Sequence, residues 1–130
     1  INFLRAASPL ANAVNVVDTV GNPVDLKARL GATFDIRRFN ASAFVNYTDE
    51  FTDNLSAPSR AVDAWTTIDL HLGWRFGPPD SGRGPELSLS VVNAFDQDPP
   101  FVNNAAGVGY DPSNADPLGR FVAVELRTRF

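Results

Sequence analysis

From Val24 onward the chain alternates apolar and polar residues with a period of two, the repeat of an extended strand whose successive side chains point to opposite faces. The cleanest run is 24–36, where Val24, Leu26, Ala28, Leu30, Ala32, Phe34 and Ile36 interleave with Asp25, Lys27, Arg29, Gly31, Thr33 and Asp35. After a tight turn at Arg37 and Arg38, residues 39–48 put Phe39, Ala41, Ala43, Val45 and Tyr47 on one face. Asn40, Ser42 and Asn46 take the other, with Phe44 breaking the pattern. In 64–76, Ile68, Leu70, Leu72, Trp74 and Phe76 oppose Thr67, Asp69, His71, Gly73 and Arg75. A fourth strand is expected over 86–95. The fifth, 119–130, sets Val122, Val124, Leu126, Thr128 and Phe130 against Ala123, Glu125, Arg127 and Arg129. A sixth, shorter strand has room within residues 1–8. Helical periodicity is nowhere persuasive.

The segments between the strands alternate in length. The turn at 37–38 is tight, 49–63 is long and polar, and 77–85 is a modest turn with Pro78, Pro79, Gly82 and Gly84. The segment 96–118 is long, carries Pro99, Pro100, Pro112 and Pro117, and resists regular assignment. The pattern predicts an all-β fold, an antiparallel up-and-down meander whose consecutive strands are neighbours. Alternation alone does not separate a membrane barrel from a soluble sheet with one wet face. Strands of about 10–13 residues, alternating short and long connections, and aromatics near the strand ends together point to the barrel. Those aromatics are Tyr47, Phe51 and Trp65 toward the long loops, and Trp74, Phe76 and Phe130 toward the other end. Five or six strands are too few to close even the usual smallest membrane barrel of about eight. Residues 1–130 are therefore expected to be a partial barrel segment, the C-terminal portion of a larger one.

Composition narrows the classes without naming one. Among 130 residues, 11 Lys and Arg face 15 Asp and Glu, a formal charge of −4. This argues against a nucleic-acid partner, which needs a basic face. Absence of cysteine removes disulfides and thiolate metal sites. No run of ~18 apolar residues offers a transmembrane helix, which leaves a transmembrane barrel untouched. The opening INFLRAASPL has neither a basic n-region nor a long apolar core, so no signal peptide is visible there.

Candidate chemistry is sparse, and no catalytic, metal or cofactor site is expected. His71 is the single histidine, two residues from Asp69 on the same strand face. A Ser-His-Asp arrangement needs a nucleophile from another strand, and no nucleophile-elbow pattern occurs, so the two read as a polar pair. Asp96-Gln97-Asp98 offers oxygen ligands but lacks the spaced series of a calcium loop. Lys27, Arg29, Asp69, His71, Arg75, Glu125, Arg127 and Arg129 fall on the polar strand faces, which in a barrel face the lumen. There they form either a docking wall for a plug or a solvated interior. Asp35 shares that side. The long loops are acidic, which suits cationic or metal-bearing ligands and equally suits solubility. Val45-Asn46 and Val92-Asn93 each precede an Asp three residues after the Asn. Parity puts Asn93 on the apolar face, so a β-bulge near Val91–Val92 is expected to return it inward.

Several stretches carry a family resemblance. WTTIDLHLGWRF (65–76), LSLSVVNAFDQDPPFVNN (87–104), GYDPSNADPLGRF (109–121) and the strand ending in Phe130 resemble the C-terminal end of TonB-dependent outer-membrane receptors. NPVDLKARLGATF (22–34) and VNYTDEFTDN (45–54) are similar as well. The resemblance implies a 22-stranded barrel, plugged by a domain absent from this chain, that takes up a scarce ligand with energy relayed from the inner membrane. It implies a bacterial outer-membrane location and contact with the lipid bilayer. The implied protein partners are an inner-membrane energy-coupling protein, reached through a missing N-terminal part, and the barrel-assembly machinery, with Phe130 as its assembly signal. The competing expectations are a passive porin-like outer-membrane channel and a soluble β-sandwich binding module.

Overall fold

The computed structural model describes residues 2–77 and 84–129, and of Arg129 the backbone only. Among the described residues there are nine strands and no helix: β1 (Leu4–Arg5), β2 (Val14–Asn15), β3 (Lys27–Ile36), β4 (Phe39–Thr48), β5 (Phe51–Asp53), β6 (Arg60–Val62), β7 (Trp65–Arg75), β8 (Gly84–Val92) and β9 (Phe121–Arg129). The chain divides into two units. A sheet unit comprises residues 29–46, 66–97 and 118–130, and a loop unit comprises 1–28, 47–65 and 98–117.

The sheet unit is built on one five-stranded sheet in the order β3-β4-β7-β8-β9. These are the five strands that the alternation predicts, adjacent in the predicted sequence. The sheet is open, ending on β3 and β9. Register follows the apolar pattern. Leu70, Leu72 and Trp74 of β7 stand opposite Val91, Leu89 and Leu87 of β8, which in turn oppose Val122, Val124 and Leu126 of β9. A one-residue slip would exchange every apolar side chain for a polar one, so the pattern fixes the pairing. The β3–β4 connection is two residues long, and Arg37 takes a φ of 51°. Two-residue hairpins favour positive φ at the first central residue because that twist matches the flanking strands.

The loop unit holds two small hairpins, β1-β2 and β5-β6, and a core of Val24, Phe51, Val62 and Val102 with Val20 packed against it. Two expectations are corrected here. The strand anticipated within residues 1–8 is β1, only two residues long, paired with β2 and not part of the five-stranded sheet. The segment 49–63 contains the β5-β6 hairpin. Segments this short carry no periodicity to read. The bulge expected at Val91–Val92 is also absent. The β8–β9 register runs unbroken from Gly84↔Arg129 to Val92↔Phe121, and the chain turns at Asn93 with a φ of 49°. Asparagine tolerates that left-handed conformation better than most residues.

Candidate functional site

The described residues of the sheet unit enclose no buried apolar core. All four buried hydrophobic residues of the described chain belong to the loop unit, whereas the buried polar side chains of the sheet unit are Thr67 and Asn93. Many large apolar side chains of the sheet are exposed, while Phe39, Phe44, Ile68, Leu89 and Val91 are half-buried. Leu30 is 77%, Phe34 58%, Trp74 47%, Val124 68% and Leu126 67% exposed. Register places Leu70, Leu72, Trp74, Leu87, Leu89, Val91, Val122, Val124 and Leu126 on one face. Phe39 packs edge-on against Trp74 at 6.2 Å between ring centroids, and Trp74 meets Phe76 at 6.5 Å. Alanines stand in the middle, where Ala32, Ala41 and Ala43 with Phe34, Leu70 and Leu72 line a shallow apolar depression.

The opposite face is polar and organised around Asp69. Its Oδ2 accepts from Asn46 Nδ2 at 2.9 Å and from an Arg29 guanidinium nitrogen at 3.1 Å, and its Oδ1 accepts the Asn93 backbone N–H at 3.1 Å. Asn46 also donates to Thr67 Oγ1 at 3.1 Å and accepts from Arg29. The two Val-Asn motifs thus converge on one carboxylate. Asn93 then ties down the following turn, its side chain accepting Gln97 N–H at 2.9 Å and donating to Gln97 O at 3.0 Å. Phe44, the residue out of pattern, lies beneath Arg29 at 4.5 Å and over Gly31. The ring occupies the space a Cβ on Gly31 would need, which explains a glycine inside a strand.

The expected lumen-facing residues divide into groups. Arg29 and Asp69 join in the cluster just described. His71 meets Ser90, its directly opposed neighbour, at 3.0 Å rather than Asp69. His71, Glu86, Ser88, Glu125 and Arg127 line one open depression of about 210 Å³. Arg75 lies 3.8 Å from Glu86, and Arg127 pairs with Glu125 at 3.0 Å. These exposed pairs contribute at most about 1 kcal/mol each. Lys27, at the start of β3, donates to Ser113 O at 3.1 Å within the loop unit. The Arg129 side chain and Phe130 lie outside the described residues.

The loop unit is organised by buried carboxylates, which the sequence reading did not single out. Asp53 is fully buried. Its Oδ1 accepts the N–H groups of Leu55 and Ser56 at 3.1 Å each. Its Oδ2 accepts Ser56 Oγ at 2.7 Å, Asn103 N at 2.9 Å and Arg60 Nε at 3.1 Å. Burial alone would raise this carboxyl, but the bonds from Asn103, Ser56 and Arg60 outweigh it and lower its pKa to about 2. Asp111 accepts Gly21 N at 3.0 Å, Ser113 N at 2.9 Å and Asn114 Nδ2 at 2.8 Å. The Asp-Pro-Ser-Asn stretch at 111–114 was the available signal, since Asp closes local turns onto backbone N–H groups two residues on. Asp18, Asp25, Asp49 and Glu50 line a depression of about 280 Å³. Among the described residues no group of three or more acidic or histidine side chains is placed to hold a metal ion.

Compared with protein-family models, curated proteins and solved structures, the chain matches none.

Proposed function

We propose that the chain forms part of the wall of a bacterial outer-membrane β-barrel, and that this barrel is a receptor of the TonB-dependent kind for energy-coupled uptake of a scarce ligand. The observation that carries the membrane assignment is a continuous apolar face of the sheet that nothing in the described chain covers. An apolar face spanning all five strands is exposed while the opposite face collects Arg29, Asp69, His71, Glu86 and Arg127. The strands of 9–11 residues extend roughly 30 Å or more at about 3.3 Å per residue, enough to cross the apolar band at a tilt. Open edges at β3 and β9 leave backbone groups that lipid does not satisfy, so further strands complete the wall. The receptor assignment is supported by the sequence resemblance of 65–76, 87–104 and 109–121. In this reading the barrel-assembly machinery inserts the wall, an inner-membrane protein supplies the energy, and the polar face lines the lumen with no catalytic role.

The chain's two tryptophans provide the test, because Trp74 is on the apolar face and Trp65 belongs to the loop unit. A Trp65→Phe variant of the full chain, refolded with phosphatidylcholine vesicles brominated on the acyl chains, where copies can pair at the open β3 and β9 edges, should show Trp74 emission quenched relative to unbrominated vesicles. A monodisperse chain in detergent-free buffer, with Trp74 unquenched by brominated lipid, would favour the soluble sandwich and overturn the membrane assignment.

A further inference from the structure

The loop unit is strongly acidic, and its basic side chains are Arg5, Lys27 and Arg60. Arg60 is committed to Asp53. Arg5 and Lys27 form no ion pair with a described residue, despite the unit's excess of carboxylates, and both line a single open depression of about 480 Å³ with no carboxylate in its wall. That volume lies within the roughly 300–1,000 Å³ of small-molecule sites.

Each cation is steadied by a neutral acceptor that leaves its charge uncompensated. Arg5 donates to Asn22 Oδ1 at 3.2 Å, and Lys27 donates to Ser113 O at 3.1 Å. A guanidinium carries five N–H donors and an ammonium three, so both retain donors for a ligand. The cavity wall at Asn22 and Asn114 is firm. Both are buried, and Asn114 Nδ2 donates to Asn22 O at 2.8 Å and to Asp111 Oδ2 at 2.8 Å. Phe3 adds a half-exposed aromatic surface.

We propose that this cavity binds a small organic anion, with a carboxylate or phosphate group held by Arg5 and Lys27 and an apolar or aromatic portion against Phe3. The surrounding carboxylates set the selectivity. They repel polyanions at long range, while a single anionic group gains two charge-assisted contacts at short range. As a site for the transported ligand this rests on the receptor reading, but the binding itself does not.

The test titrates the full chain at fixed salt with inorganic phosphate, phenyl phosphate, benzoate and benzylamine, followed by calorimetry. Phenyl phosphate or benzoate should bind, the stronger of them identifying the anionic group. Inorganic phosphate should bind more weakly than phenyl phosphate, and benzylamine not at all. Arg5→Gln and Lys27→Gln should each weaken binding about ten-fold or more, the scale of a lost charged hydrogen bond. Lys27→Arg should stay within about three-fold, and unchanged circular dichroism of Arg5→Gln and Lys27→Gln guards against misfolding as the cause of their loss. Binding of benzylamine as tight as that of benzoate, an unchanged affinity in Lys27→Gln, or no binding of any anion overturns the proposal. Loss of anion binding with Trp74 still quenched by brominated lipid leaves the receptor reading standing. Anion binding without quenching leaves the cavity and removes the membrane.

Discussion

The two units of this chain solve the burial problem in opposite ways. The loop unit puts Val24, Phe51, Val62 and Val102 inside, and beside them places Asp53 and Asp111, each surrounded by donors. That is how a small, loop-rich unit stabilises itself in water, since buried carboxylates satisfied on several sides replace missing secondary structure. The sheet unit has no such core among its described residues. Its cohesion comes from the strand ladder and from the cluster around Asp69, while Leu, Val, Phe and Trp side chains of its apolar face are left uncovered. A contiguous apolar surface of that extent marks an interaction face, for a partner or a membrane. Under the proposed membrane assignment the contrast is one between units adapted to different solvents, and it can be broken or sharpened in four ways.

The largest effect should come from placing a charge on the outward face. Leu70→Arg introduces a cation where the membrane reading puts hydrocarbon, at an expected cost of about 2–4 kcal/mol to the inserted state. The neighbouring His71→Arg, on the polar face, should cost no more than about 1 kcal/mol, the worth of its hydrogen bond to Ser90. Trp74 quenching in brominated vesicles, followed against urea, measures both. Equal tolerance of the two variants would remove the distinction between the faces.

Next in size is the centre of the loop unit. Asp53→Asn keeps the shape, but either orientation of the amide turns its NH₂ toward at least two groups that Asp53 now accepts from. A loss of about 2–3 kcal/mol is expected, read as faster hydrogen exchange at Leu55, Ser56 and Asn103. Protection in β7 and β8 should be unchanged. Coupled loss across both units would show that they do not stand on separate supports.

The same carboxylate sets an acid limit. Its folded pKa, about 2, lies below the ordinary value of 3.8, so its contribution is fully present above the unfolded value. It is lost as pH falls from about 4 toward 2, because the unfolded chain then binds the proton more readily. Protection factors at Ser56 and Asn103, exchange rates divided into the intrinsic rate at each pH, should fall over that interval in the native chain and much less in Asp53→Asn. A native-chain profile flat through that interval would count against this depressed pKa.

Much of the sheet was legible because it obeys a single rule. Where Leu70, Leu72 and Trp74 alternate with His71 and Gly73, period two announces strand, face and register together. The loop unit obeys no such rule. β5 and β6 have three residues each, and Asp53 earns its burial through Ser56, Arg60 and Asn103, partners up to fifty positions away. Asn93 shows the boundary between the two regimes. Strand parity extended through it suggested a bulge, whereas the backbone leaves the strand there and a positive φ replaces the extra residue. The convergence of Asn46 and Asn93 on Asp69 was foreshadowed by the repeated Val-Asn pair, but only the pairing of β4, β7 and β8 gives that repeat a meaning. His71 and Asp69 share a face as expected, yet each takes its partner from a neighbouring strand, which spacing within one strand does not reveal.

The smallest expected effect concerns the Arg37–Arg38 turn that joins β3 to β4. Arg37 holds a φ of 51°, a region where a residue with a Cβ is less favourable than glycine. Arg37→Gly removes that penalty but gives the unfolded chain more freedom, so the two effects partly cancel and a net gain of about 0.5 kcal/mol is expected. Because the sheet's outward face supplies no core, its ladder should respond to turn geometry more visibly than the loop unit does. The check is hydrogen exchange of the ladder amides in β3 and β4 against those of β5 and β6 in the same sample. Slower exchange confined to β3 and β4 sharpens the view that local backbone geometry and the strand ladder support the sheet unit. A uniform change, or a loss of protection in the hairpin, would mean that the arginine side chain stabilises the turn more than its backbone strain costs.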